Sequence, residues 1–190
     1  VNVRTYAAIT KGQKGDEITE MGLLAQEGAV GFTDDGLPVM NAGVMRKALA
    51  YARELGLPVA QHAEDLNLST TEAIDAVRRA KKKGLKVTAE AAPHHFILTD
   101  EAVLEYRTFS KMNPPLRAER DRMAVIEGLK DGTIDAIATD HAPHDQESKR
   151  VPLSSASFGI VGLETMLPLS LSLYHNKIMP LRDVIAAMTY

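Results

Sequence analysis

Ala136-Ile137-Ala138-Thr139-Asp140-His141-Ala142-Pro143-His144 runs an apolar segment directly into an acid and two imidazoles. Such a run reads as a buried strand. The carboxylate at its C-terminal end reads as chemistry, because parallel α/β sheets and barrels gather their reacting groups there. A carboxylate so placed can bind a metal and move a proton, and a histidine four residues on can reach the same pocket from the following loop. The competing reading of these residues is a solvated turn after a core strand.

Extended apolar segments alternate with helical ones on both sides of this stretch. Val3 to Ile9, Ala29 to Thr33, Pro58 to His62, Leu85 to Ala91 and Ala136 to Thr139 read as strands. Between and after them, helices are expected over Glu17 to Glu27, Ala42 to Leu55, Thr71 to Lys83, Ala118 to Leu129 and Gly162 to Tyr174, with Gly56 and Gly84 as C-terminal stops. Repeated strand and helix units with short connections point to a parallel sheet covered on both faces. Asp35, His62, His94, His95 and Asp140 all fall at or just beyond the C-terminal ends of these strands, the ends that converge on one mouth in a β/α barrel.

Each of these residues has a structural alternative. Asp35 either faces the mouth or caps a turn with Asp34 and Gly36; His62 is either a ligand or a core-capping histidine. His94 and His95 suit support of neighbouring ligands better than ligation, with one facing the core and the other the mouth. His175 belongs on a surface, and the Met and Leu stripes of residues 162–174 are core packing.

Composition narrows the chemistry. With 190 residues, 45% of them hydrophobic, the chain can bury a real core as one domain over residues 1–190. A formal charge of −3 argues against nucleic acid; the basic run Arg78 to Lys83 reads as the solvated end of an amphipathic helix. The absence of cysteine excludes disulfides, thiolate metal sites and a cysteine nucleophile, so a metal would need His and carboxylate ligands. No signal peptide or membrane span is legible, and a cytoplasmic protein is expected.

Several motifs occurring in order resemble those of the dihydroorotases of the amidohydrolase superfamily, bacterial class I type. They are Thr139-Asp140-His141-Ala142-Pro143-His144, Met112-Asn113-Pro114-Pro115-Leu116-Arg117 and Ala92-Pro93-His94-His95-Phe96. Phe32-Thr33-Asp34-Asp35-Gly36, Gln61-His62-Ala63-Glu64-Asp65 and Phe158-Gly159-Ile160-Val161-Gly162-Leu163-Glu164 extend the likeness through nearly the whole chain. The resemblance implies a metal-dependent-hydrolase (β/α)8 TIM-like barrel with one or two zinc ions. It also implies reversible hydrolysis of dihydroorotate to N-carbamoyl-L-aspartate in pyrimidine synthesis. Carried over residue by residue, it makes Asp35 a carboxylate bridging two metals, His62 a metal ligand, and Asp140 both a ligand and the general acid/base. Asn113, His144 and the Phe158-Gly159 backbone would hold the pyrimidine ring or its carboxylate, and the polar segment Asp145 to Ser157 would be a mobile loop that orders with substrate.

The chain also departs from the pattern. The family opens with a His-x-His strand and a nearby arginine, and has a further strand with a metal-binding histidine between the counterparts of Ser69 and Thr71. At its end, where Ala187-Met188-Thr189-Tyr190 stands here, it continues into a closing helix and a small β domain. The expected barrel is therefore incomplete in this chain. The other readings are a hydantoinase or allantoinase, and an inactive homologue serving as structural partner of aspartate transcarbamoylase. A homodimer or a complex with that enzyme is a further expectation.

Overall fold

The computed structural model describes residues 3–61 and 69–189. The chain divides into two compact units, Val1–Asp65 and Leu66–Tyr190, each with its own core. The sequence reading of His62 falls outside the described residues.

In the first unit three extended segments lie parallel, joined by bridges from Ala7 to Phe32 and from Phe32 to Val59. The hydrogen bonds run from Ala7 N to Gly31 O (3.0 Å), Thr33 N to Ala7 O (2.8 Å), Phe32 N to Pro58 O (3.0 Å) and Ala60 N to Phe32 O (2.8 Å). The expected strand through Ile9 stops pairing early because the buried Asp34 carboxylate takes the next two N–H groups, those of Ile9 (2.7 Å) and Thr10 (2.9 Å). Helix α1, Met21–Gln26, is shorter than the expected 17–27. Its first turn is lost to pairing, since Thr10 bridges Ile18 and Thr19 N reaches Ile9 O at 2.9 Å.

Helix α2, Ala42–Leu55, has the expected bounds. Asn41 caps it by accepting from Gly43 N and Val44 N, and Gly56 ends it at φ 68°, a left-handed conformation that costs glycine little. Val44, Ala48 and Ala52, spaced by four, bury one stripe against Ile9, Met21 and Phe32.

In the second unit α3, Thr71–Lys82, starts at the Thr70 cap and carries Arg79, Lys81 and Lys82 in its last turn, where cations oppose the helix dipole. The basic run is not simply solvated. Arg78 bonds Asp75 and, through Nε, Asp131 (2.9 Å), while Lys81 Nζ bonds Asp135 (2.6 Å) and Gly132 O (2.9 Å). Arg79, Lys82 and Lys83 face water as expected.

Strand β1, Glu90–Ala91, pairs in parallel with β2, Ala136–Ile137, in the register Glu90 to Ala136 and Ala91 to Ile137. Both are shorter than the sequence suggests. Leu85 is exposed, so the start of its segment has no sheet to cover, and the Asp135 side chain takes Ala89 N at 2.8 Å. Between them lie α4, Pro93–Ile97, and α5, Glu119–Lys130, the latter close to its expected range. A parallel pair requires such a crossover.

Ile74 of α3, Val125, Ile126 and Leu129 of α5, and Ile137 of β2 share a core with Leu173 of α7, Leu163–His175, and Val184 of α8, Leu181–Thr189. His175, the last residue of α7, is exposed, as expected for a surface histidine. Among the described residues no helix is long and apolar enough to cross a membrane.

Candidate active site

Asp140 stands three residues past β2 with φ 46°, the left-handed region that aspartate tolerates better than most side chains. The turn halts the strand and leaves the carboxylate 48% exposed. Opposite it, His94 in α4 is buried, and its Nε2 is an orphaned polar atom 3.6 Å from Asp140 Oδ2, beyond hydrogen-bond range. Burial first, and then the neighbouring His95, push the His94 pKa down to about 3, so the ring is neutral at pH 7.

His95 is buried as well, with its ring 4.3 Å from that of His94 and its Nε2 3.2 Å from Pro114 O. Burial lowers its pKa, opposed by the Pro114 carbonyl and by Asp140. Both histidines are buried in α4 just past β1, with His94 Nε2 toward Asp140 and His95 Nε2 toward Pro114 O.

A second group forms around Gly159. Its φ of 133° is reserved for glycine, and a Cβ there would sit 2.6 Å from Ala142 O and 3.1 Å from His144 Cδ2. Gly159 N donates to Lys111 O (2.9 Å), two residues before Asn113, and Ala142 N donates to Ile160 O (2.9 Å) across a parallel bridge between His141 and Ile160. Gly159 is thus tied to the segment before Asn113 and packs against Ala142 and His144, beyond the end of β2. With its N–H engaged, what Gly159 can offer a ligand is a carbonyl lone pair, which suits a ring N–H.

Asp35, in the first unit, is exposed, whereas its neighbour Asp34 is 2% exposed and bonded to Ile9, Thr10 N and Thr10 Oγ1. The structural role open to the Asp-Asp-Gly turn belongs to Asp34, and Asp35 is left to face solvent.

Some side-chain roles escape a motif reading. His141 Nδ1 accepts from Gly162 N (3.0 Å) and Leu163 N (3.2 Å), so it caps α7 and carries its ring proton on Nε2. Lys149 is 3% exposed, although it lies in the segment expected to be a polar mobile loop. That segment instead contains α6, Gln146–Lys149, capped by Asp145. Its backbone carbonyls are gathered by lysine ammonium groups, an arrangement that hydropathy does not register.

Residues 1–106 match the sequence profile of the family described as Dihydro-orotase-like. The chain belongs to that family. It is 48% identical to a dihydroorotase of Wolbachia sp. subsp. Drosophila simulans over 239 positions, covering 100% of this chain and 54% of the relative. With a dihydroorotase of Ehrlichia chaffeensis the identity is 46% over 239 positions, covering 100% of this chain and 53% of the relative.

The dihydro-orotase-like chain therefore spans about half the length of these curated relatives. Because 190 residues are matched over 239 positions, the relatives also carry positions within the matched span that have no counterpart here.

Among solved structures the fold is that of an L-hydantoinase (dihydropyrimidinase) from Arthrobacter aurescens, with a TM-score of 0.77 at 19% identity over 99% of this chain and 55% of that one. A D-hydantoinase gives 0.75 at 16% identity, over 90% and 52%. At these identities the likeness is one of fold.

Proposed function

We propose that this dihydro-orotase-like chain is part of a zinc-dependent enzyme with a (β/α)8 barrel that reversibly hydrolyses dihydroorotate to N-carbamoyl-L-aspartate. The observation that carries the reading is Asp140: a half-exposed carboxylate held in a left-handed turn at a strand end, facing the orphaned Nε2 of a buried neutral histidine. The dihydroorotase relatives supply the substrate class.

Asp35, His62 and Asp140 are the proposed protein ligands of one or two zinc ions. Their donor chemistry, carboxylate oxygen and imidazole nitrogen in a chain without cysteine, fits a borderline divalent ion. Among the described residues no group of three or more such side chains is drawn together, and His62 lies outside them. When bound, the metal supplies a Lewis acid and lowers the pKa of water.

The remaining steps belong to side chains. Asp140 takes a proton from the attacking water as the new C–O bond forms, then delivers that proton to the amide nitrogen as the ring C–N bond breaks. In reverse the same group helps to close the ring. His94, buried and neutral, faces Asp140 without competing for the carboxylate as a cation. His144 donates to the substrate carboxylate, while Asn113 and the Phe158-Gly159 backbone hold the ring.

Initial rates with dihydroorotate and hydantoin, measured on the intact protein before and after chelation and with zinc restored, test this reading. Faster turnover of dihydroorotate, lost on chelation and regained with zinc, is expected. A preference for hydantoin overturns the substrate, and turnover indifferent to chelation overturns the metal. The visible carboxylates of the site, Asp35 and Asp140, are present, which favours an enzyme over an inactive structural partner.

A further inference from the structure

We propose that Lys149 is a positioning residue for substrate binding, fixing the Phe158-Gly159 backbone through the carbonyls of Lys111, Ser157 and Gly159. The proposal rests on the reading above, in which that backbone meets the pyrimidine ring.

The side chain is 3% exposed, and Nζ donates to Lys111 O (3.1 Å), Ser157 O (2.9 Å) and Gly159 O (2.8 Å). An ammonium has three donors and no acceptor, so its hydrogen-bonding capacity is filled by backbone alone. Among the described residues no carboxylate lies within ion-pair distance of it. A buried cation without a counter-ion costs stability, and an apolar side chain of similar length would fill the same space at lower desolvation cost. Burial, and then the Lys111 charge, lower its pKa below the ordinary lysine value, in keeping with that cost.

What the cation gains is geometry. Lys111 O is a node that receives both Lys149 Nζ and Gly159 N (2.9 Å), and so locks the segment before Asn113 to the segment carrying Phe158. Gly159, held between Lys149 and the wall made by Ala142 and His144, has its carbonyl direction set by the ammonium. The second lone pair of that carbonyl remains able to accept a substrate N–H. Lys111 Nζ fastens the outer part of the same loop through Leu153 O (2.7 Å) and Ala156 O (2.6 Å). The two lysines therefore build one wall of the ring-binding region from backbone that has no regular structure of its own. Asp140 lies on a different segment, past β2.

Steady-state kinetics of the intact zinc enzyme on dihydroorotate, comparing wild type with Lys149→Met and Lys149→Arg, test the proposal. Lys149→Met should raise KM roughly tenfold or more and change kcat by less than about threefold, with Lys149→Arg lying between it and wild type. If Lys149→Met does not fold, Lys149→Gln replaces it, and its KM should exceed that of Lys149→Arg. KM within about twofold of wild type in the uncharged variant, or a fall in kcat at unchanged KM, overturns the positioning role. A wild-type protein that turns over no dihydroorotate overturns the functional reading itself. The two failures are thereby distinguished.

Discussion

Asp34 and Asp35 carry the same side chain on adjacent residues, and burial separates their chemistry. Asp34 accepts two buried N–H groups and a hydroxyl, so truncating it strands donors that water cannot reach. Asp34→Ala should cost about 2–6 kcal/mol in urea unfolding, at roughly 1–3 kcal/mol for each of the two stranded backbone N–H groups. Asp35→Ala, at an exposed position, should stay within about 0.5 kcal/mol of wild type while lowering the zinc content of the intact enzyme. Equal stability losses in the two variants would refute this division. The sequence leaves the Asp-Asp-Gly turn open to capping or chemistry, and that Asp34 takes the structural part depends on the direction of the Ile9 and Thr10 N–H groups, a tertiary fact. Lys149 was illegible for a related reason, since its partners are carbonyls, and every residue has one.

Helices α2, α3 and α5 were readable because their bounds are set locally, by caps such as Asn41 and Thr70 and by apolar spacing. The strands were readable in place but not in length, because pairing is decided by neighbours. Ile9 and Thr10 give their N–H groups to Asp34, and Ala89 gives its own to Asp135.

Between α3 and α5, Asp131 accepts from Thr133 N (2.9 Å) and from Arg78 Nε (2.9 Å). Burial raises its pKa, but the Thr133 and Arg78 hydrogen bonds outweigh burial and leave it below the ordinary value of 3.8. The folded state thus binds its proton less readily than the unfolded chain. The resulting stability is present above pH 3.8 and is lost as pH falls through the lower folded-state value. Asp131→Asn should be less stable by up to about 1 kcal/mol at pH 6, the partial exposure of the pair limiting its worth. The difference from wild type in urea titrations should shrink at acid pH, and a difference that grew there would contradict the assignment.

At the scale of the molecule, each unit keeps its own core and its own parallel pairing, and chemistry-bearing residues stand at the ends of the paired segments in both. That placement is legible in the sequence, as apolar runs ending in acids and imidazoles. What the sequence did not show was how the end of β2 is walled. His141 caps α7, Gly159 packs on Ala142, and Lys149 gathers the loop carbonyls.

The measurement that tests the account most directly is kcat for dihydroorotate of the Asp140→Asn enzyme at saturating zinc, alongside its melting temperature. Asparagine tolerates the left-handed turn as aspartate does, so the fold should be kept. The account expects a loss of roughly 10²–10⁴-fold in kcat, the usual worth of a positioned general acid/base. A zinc-loaded, folded variant with kcat within about threefold of wild type would contradict it.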